Sequence, residues 1–143
     1  ESMTTLNKKA SQIMKRYRVH GCTDVTGLGL AVHLNEMLDS KYSALLYSDK
    51  IPFFDAAYKY AGEFLITAAG QRNRSFMEGK ISFRRKDFAL EEIVFDPQTT
   101  GGLLISAEPV SAEKCAAKMI DNGIDAHIIG EITERRDIDI KVI

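Results

Sequence analysis

The junction at residues 19–29 most constrains the fold. A short segment, Val19 to Val25, runs into Thr26-Gly27-Leu28-Gly29. Beyond it Leu28, Ala31, Val32, Leu34, Met37 and Leu38 recur at helical spacing. The pattern predicts a strand, a glycine-rich turn and then a helix, with Gly27 and Gly29 at the helix mouth. Backbone N–H groups in the first turn of a helix have no partner within it, and they sit at the positive end of its dipole. Such a mouth suits phosphate.

Elements on either side follow from the same periodicity. Leu6, Ala10, Ile13, Met14 and Tyr17 predict an amphipathic helix over Thr5–Arg18, with Thr4 and Thr5 as N-cap hydroxyls and a solvated face of Lys8, Lys9, Lys15 and Arg16. Tyr42–Tyr47 suits a strand, and Pro52 suits the first turn of a helix through Tyr58 and Ala61. A helix over Glu63–Ala69 is expected to stop at Gly70, leaving Arg72-Asn73-Arg74 in a loop. Ile81–Arg84, Ile93–Phe95 and Leu103–Ser106 are strand candidates. Ser111 is placed as the cap of a helix with an inner face of Cys115, Ala116, Met119 and Ile120, stopped by Asn122-Gly123. Ala126–Ile132 and Ile138–Ile143 read as the arms of a hairpin. Irregular interleaving without repeats or linkers argues for a single α+β domain over residues 1–143, a mixed β-sheet packed by helices.

Composition narrows the function classes. A formal net charge of -1 gives no global attraction to nucleic acid or to a membrane surface. Arg84-Arg85-Lys86 lacks a flanking aromatic platform and reads as a solvated strand end. No apolar run approaches membrane-spanning length, and no leader is visible at the start. Cys22 and Cys115 lie far apart with no disulfide framework or zinc spacing, which fits a reducing cytosol. The opening Glu1-Ser2-Met3 fits either a cloning remnant or a piece of a longer protein.

Asp24 is the foremost chemical candidate. A carboxylate just before a glycine-rich helix entry suits Mg²⁺, which needs only one or two protein carboxylates. Taken locally, helix capping or support of the turn stands ahead of the metal role for the same Asp. The run Phe95-Asp96-Pro97-Gln98-Thr99-Thr100-Gly101-Gly102-Leu103-Leu104 reads locally as a turn before a strand. Cys22 has His20 two residues away, on the same strand face, but a buried small residue is the expectation for it. His33 and His127 are expected to pack in apolar surroundings, and three scattered histidines make no zinc spacing.

Together the two motifs carry a specific resemblance. His20-Gly21-Cys22-Thr23-Asp24-Val25-Thr26-Gly27-Leu28-Gly29-Leu30, followed by His33-Leu34-Asn35-Glu36-Met37, resembles the selenophosphate synthetase pattern H-A-C-T-D-V-T-G-F-G-L…H-x-x-E-M. Asp96–Leu104 resembles that family's D-P-Q-T-S-G-G-L-L. Leu6-Asn7-Lys8 and Arg72-Asn73 also stand where the family has similar residues. Gly21, Leu28, Thr100 and the pair Val32-His33 depart from the usual Ala, Phe, Ser and Gly-His.

The resemblance implies the C-terminal half of an ATP-dependent enzyme that converts ATP, selenide and water into selenophosphate, AMP and phosphate. It implies Asp24 as the one metal ligand from this half, with Mg²⁺ as the metal and Thr26 and Gly27 lining the phosphate region. The catalytic Lys and the Cys or selenocysteine would lie in a separate N-terminal ATP-binding domain, this chain's partner. The full-length protein is then expected to be a cytoplasmic homodimer that binds neither nucleic acid nor membrane, and this chain alone to be inert, with no catalytic residue of its own. Two alternatives stay open: a stand-alone nucleotide- or partner-binding module, and a superfamily relative such as a hydrogenase-maturation protein.

Overall fold

A computed structural model describes residues 2–143; Glu1 lies outside the described residues. After a 3-10 turn at Ser2–Thr4 come α1 (Lys8–Met14), β1 (Val19–Asp24), α2 (Gly29–Leu38) and β2 (Tyr42–Leu46). A second 3-10 turn, Ser48–Lys50, precedes α3 (Asp55–Gly62), α4 (Ala68–Phe76), β3 (Ile81–Phe83) and α5 (Phe88–Phe95). The chain then runs through β4 (Leu103–Ala107), α6 (Pro109–Asp121), β5 (Gly130–Glu134) and β6 (Ile140–Val142). The architecture is α+β, as expected, with its strands divided between two sheets.

β1 and β4 form an antiparallel pair in which Cys22 faces Ile105 and Asp24 faces Leu103. The other sheet has the order β3-β6-β2-β5 and is mixed: β2 and β5 are antiparallel, whereas β6 is parallel to both β2 and β3. The main core lies between this sheet and helices α2 and α5, around Leu34, Leu38, Leu46, Val94, Phe95 and Ile140. A smaller cluster joins Ala10 and Ile13 of α1 to Cys115 and Met119 of α6 beside β4.

Several local expectations are overturned. The first helix is shorter than 5–18, because bonds from Arg16 N to Ile13 O and from Tyr17 N to Met14 O tighten its last turn. Its N-cap is Asn7, not Thr4 or Thr5. Pro52 stays outside α3, since the residue before a proline is driven extended and Ile51 has ψ 115°. Helix does not persist through Glu63–Ala69. Phe64 takes φ 63°, and bonds from Leu65 N to Tyr60 O and from Phe64 N to Ala61 O form a Schellman closure of α3. Thr67 then caps α4, accepting from Gly70 N, so Arg72, Asn73 and Arg74 sit on a helix and not in a loop.

Ile93–Phe95 is helical, not a strand. A short apolar run fits either structure, and here Asp87 decides by accepting from Leu90 N as the N-cap of α5. In α6 the cap is Glu108, which accepts from Ser111 N, with Pro109 in the first turn. Cys115 and Met119 face inward as expected, but Ile120 is exposed.

The expected hairpin of the last two strands does not form, because β2 lies between them. Ser43 of β2 explains the route. Its buried hydroxyl donates to Ile138 O and accepts from Arg136 N, while Ala44 N donates to Asp139 O. The 135–139 connection therefore satisfies polar groups on β2 as it crosses.

Candidate functional site

Strand alternation sets one side of the site. His20, Cys22 and Asp24 are all exposed on one face of β1, while Val19, Gly21 and Thr23 face inward. Among the described residues, the Asp24 carboxylate has no hydrogen-bond or ion-pair partner, and it does not cap α2. The N-cap of that helix is Leu28, which makes no side-chain cap bond. The capping alternative for Asp24 is thereby excluded.

The turn after Asp24 is stitched to the downstream motif. Val25 N donates to Gly102 O, and Gly101 N donates to Val25 O, each at 3.0 Å. These bonds carry the β1–β4 ladder one step beyond Asp24 and Leu103 into both motifs. A side chain at Gly101 would overlap the Val25 carbonyl, so the close approach requires glycine. Thr26 O accepts from both Gly29 N and Gln98 N. Asn7 reaches back from the start of α1 to donate to Gly101 O at 3.0 Å.

Gly29 takes φ 70°, and a methyl group there would lie 2.7 Å from the Phe95 carbonyl oxygen. Its amide is already used by Thr26. The amides of Thr26, Gly27 and Leu28 make no hydrogen bond among the described residues, and the space beside Gly27 is open. Consecutive free amides in a turn form an anion-binding concavity. The helix mouth expected from the sequence is thus displaced by a residue or two into the turn.

Thr26 Oγ1 lies 3.1 Å from His33 Nε2, and His33 Nδ1 lies 3.3 Å from Glu36 Oε2. His33 is buried, in line with its expected packing role, but through polar partners. His127 is exposed, paired with Asp125 at 2.7 Å, and is no packing residue. Cys22 is exposed, contrary to expectation, because it shares Asp24's face of β1. Partial desolvation of its sulfur raises the thiol pKa, and the Asp24 carboxylate raises it further. An activated nucleophile needs the opposite shift.

Of the residues that brace the site, the sequence picks out Asn73, beside Arg72, by resemblance and places it with Arg74 in a loop; it does not pick out Thr67. Asn73 is 7% exposed and donates to Gly27 O at 3.2 Å and to Phe95 O at 2.9 Å. Thr67 Oγ1 donates to Asp96 Oδ1 at 2.9 Å. Arg74 pairs with Glu91 and with Glu92, which is 5% exposed, and its guanidinium lies over the Phe95 ring at 4.9 Å. Gln71 also donates to Glu92. Beside that resemblance, a further signal was the helical spacing of Asn73 with Gly70 and Met77, hidden by the polar run that reads as a loop.

Residues 1–143 match the family "AIR synthase related protein, C-terminal domain". The chain is 42% identical over 139 residues to a selenide, water dikinase of Desulfitobacterium hafniense, covering 97% of this chain and 41% of that relative. It is 43% identical over 142 residues to one from Agathobacter rectalis, covering 99% and 42%, respectively. One from Campylobacter jejuni is 36% identical over 141 residues, covering 98% and 40%. The chain therefore spans about two fifths of the length of these relatives. With the match running from end to end, the chain belongs to the AIR synthase related C-terminal domain family.

Proposed function

We propose that the chain is the C-terminal domain of an ATP-dependent selenide, water dikinase, and that Asp24 is the metal ligand it contributes. The observation that carries this reading is the pairing of Val25 with Gly101 and Gly102, which puts an uncommitted carboxylate and a row of free amides at one turn. A single exposed carboxylate fits Mg²⁺, which keeps several waters and takes few protein ligands. Among the described residues no group of three or more His, Cys, Asp or Glu could hold a metal. Further ligands then come from an N-terminal ATP-binding domain, which also supplies the catalytic Lys and the Cys or selenocysteine.

In this reading the Asp24 carboxylate holds the ion at the end of a strand whose hydrogen bonds continue past it, so its position is fixed by the sheet. The amides of Thr26, Gly27 and Leu28 donate to phosphate oxygens. When bound, such an ion would neutralise the charge that develops in phosphoryl transfer. A ligand donated by this domain couples metal loading to closure against the ATP-binding domain and to exclusion of water. A homodimeric assembly and a cytosolic location belong to the same proposal.

The test uses the full-length protein under reducing conditions with Mg²⁺. Wild type forms AMP from ATP in a selenide-dependent reaction, Asp24→Asn does not, and the 143-residue chain alone does not. Failure of the wild type to require selenide would return the chain to a relative with another substrate. Full activity of Asp24→Asn with unchanged Mg²⁺ dependence would remove Asp24 from the metal site.

A further inference from the structure

We infer that Asn73 is a positioning residue that sets the separation between the Asp24–Gly29 turn and the Asp96–Gly102 segment. The consequence for metal binding rests on the function proposed above; the positioning itself does not. The amide nitrogen of Asn73 donates to Gly27 O and to Phe95 O. One NH₂ group thus spends each of its hydrogens on a different motif. Both partners are carbonyl oxygens, which only accept, so the nitrogen must face them and the amide orientation is determined by its partners.

The side chain is also held where it is. Next to it, Arg74 is clamped by Glu91 and Glu92 and stacked over Phe95. At the start of the same helix Thr67 bonds Asp96. The helix α4 therefore grips α5 at both ends, and Asn73 is the residue that extends this grip to the turn carrying Gly27. Without its amide, the buried Phe95 carbonyl loses its donor and the turn loses its tie to α4. What remains between the two segments is the Thr26–Gln98 bond and the ladder through Val25. Ser, Thr and His side chains offer too few donors at one atom to replace the fork.

The experiment compares Asn73→Ala, Thr67→Val and Asp24→Asn with wild type in the full-length protein, using peptide-resolved hydrogen exchange and titration with Mn²⁺ alone. Asn73→Ala is expected to speed exchange of the bonded amides of Val25 and Gly29, and of Gln98 and Gly101, in peptides covering 25–29 and 96–102 about tenfold, the scale of one lost buried hydrogen bond, and to leave β2 and β6 unchanged. Thr67→Val is expected to loosen 96–102 and the first turn of α4, whose cap it removes, but not 25–29. Mn²⁺ affinity should fall roughly 10-fold in Asn73→Ala, the lower end of what loss of a ligand-orienting partner costs. Should Asn73→Ala not fold, Asn73→Ser, which keeps one donor, is expected to show the same exchange pattern with a smaller amplitude.

Uniform loosening, or none in 25–29, overturns the positioning role. Weakened Mn²⁺ binding in Asp24→Asn with wild-type binding in Asn73→Ala overturns its consequence for the metal. Selective loosening by Asn73→Ala together with no Mn²⁺ effect of Asp24→Asn upholds the positioning role and sinks the metal reading alone.

Discussion

The hydroxyl of Thr26 and the imidazole of His33 face each other at 3.1 Å, one helical turn into α2, with Glu36 on the far side of the ring. A proton on Nδ1, directed to Glu36, makes Nε2 an acceptor for the Thr26 hydroxyl. The contact fixes the Thr26 side chain against α2, while its backbone amide makes no hydrogen bond among the described residues. Thr26→Val strands the partly buried imidazole nitrogen and is expected to cost about 1–3 kcal/mol in denaturant unfolding. Thr26→Val with His33→Leu should recover part of that loss, because both polar partners are then removed. Strict additivity of the two changes would show that the contact carries no coupling.

The glycines of the turn should behave oppositely. Gly29→Ala places a methyl against the Phe95 and Asp96 carbonyls at a positive φ, and is expected to destabilise by more than about 2 kcal/mol. Gly27→Ala meets open space and should change stability by less than about 0.5 kcal/mol, while lowering activity of the full-length protein if phosphate approaches there. Thermal unfolding checks the first contrast and steady-state kinetics the second.

The Arg74–Glu92 pair offers a test of how α4 is fastened. Arg74→Leu leaves Glu92 buried with only Gln71 as a donor, and is expected to cost about 2–3 kcal/mol, below the range for a fully buried pair because the arginine is one-third exposed. Arg74→Leu combined with Glu92→Leu should regain most of the loss. A single variant as stable as wild type would show that the ion pair contributes nothing.

Thiol labelling distinguishes the two cysteines. Cys22 is exposed on β1 and should be alkylated in the folded protein at mildly alkaline pH, whereas Cys115 should react only on unfolding. Burial also raises the Cys115 thiol pKa, which depletes the reactive thiolate. Mass spectrometry of digests reads both rates. Equal labelling in the native state would contradict the packing of α6 on α1.

The strand–turn–helix over 19–38 was legible because its signals are local: alternation, then glycines, then a 3.6-residue apolar period. So was the end of α6, where Gly123 takes the positive φ that stops a helix. The region from Glu63 to Phe95 was misread for equally local reasons that composition conceals. Phe64 adopts a conformation usually left to glycine, and an apolar run at 93–95 is compatible with helix or strand until Asp87 caps it. The hairpin failed differently, since the choice of β2 as neighbour to both β5 and β6 depends on Ser43 and the crossing segment, far apart in sequence.

For the site, sequence alone determined that Asp24, Thr26 and Gly27 stand together at the end of a strand and that a second glycine motif precedes β4. It left Asp24 between cap and ligand, because a carboxylate before a helix suits both. Only the tertiary structure removed the cap. It ended β1 with Asp24 pointing to solvent, joined Val25 to Gly101 and Gly102, and brought Asn73 from a helix between the motifs onto both. Dihedral preference and periodicity act over a few residues. Which distant carbonyl satisfies a given amide is decided when the chain is packed and water is excluded.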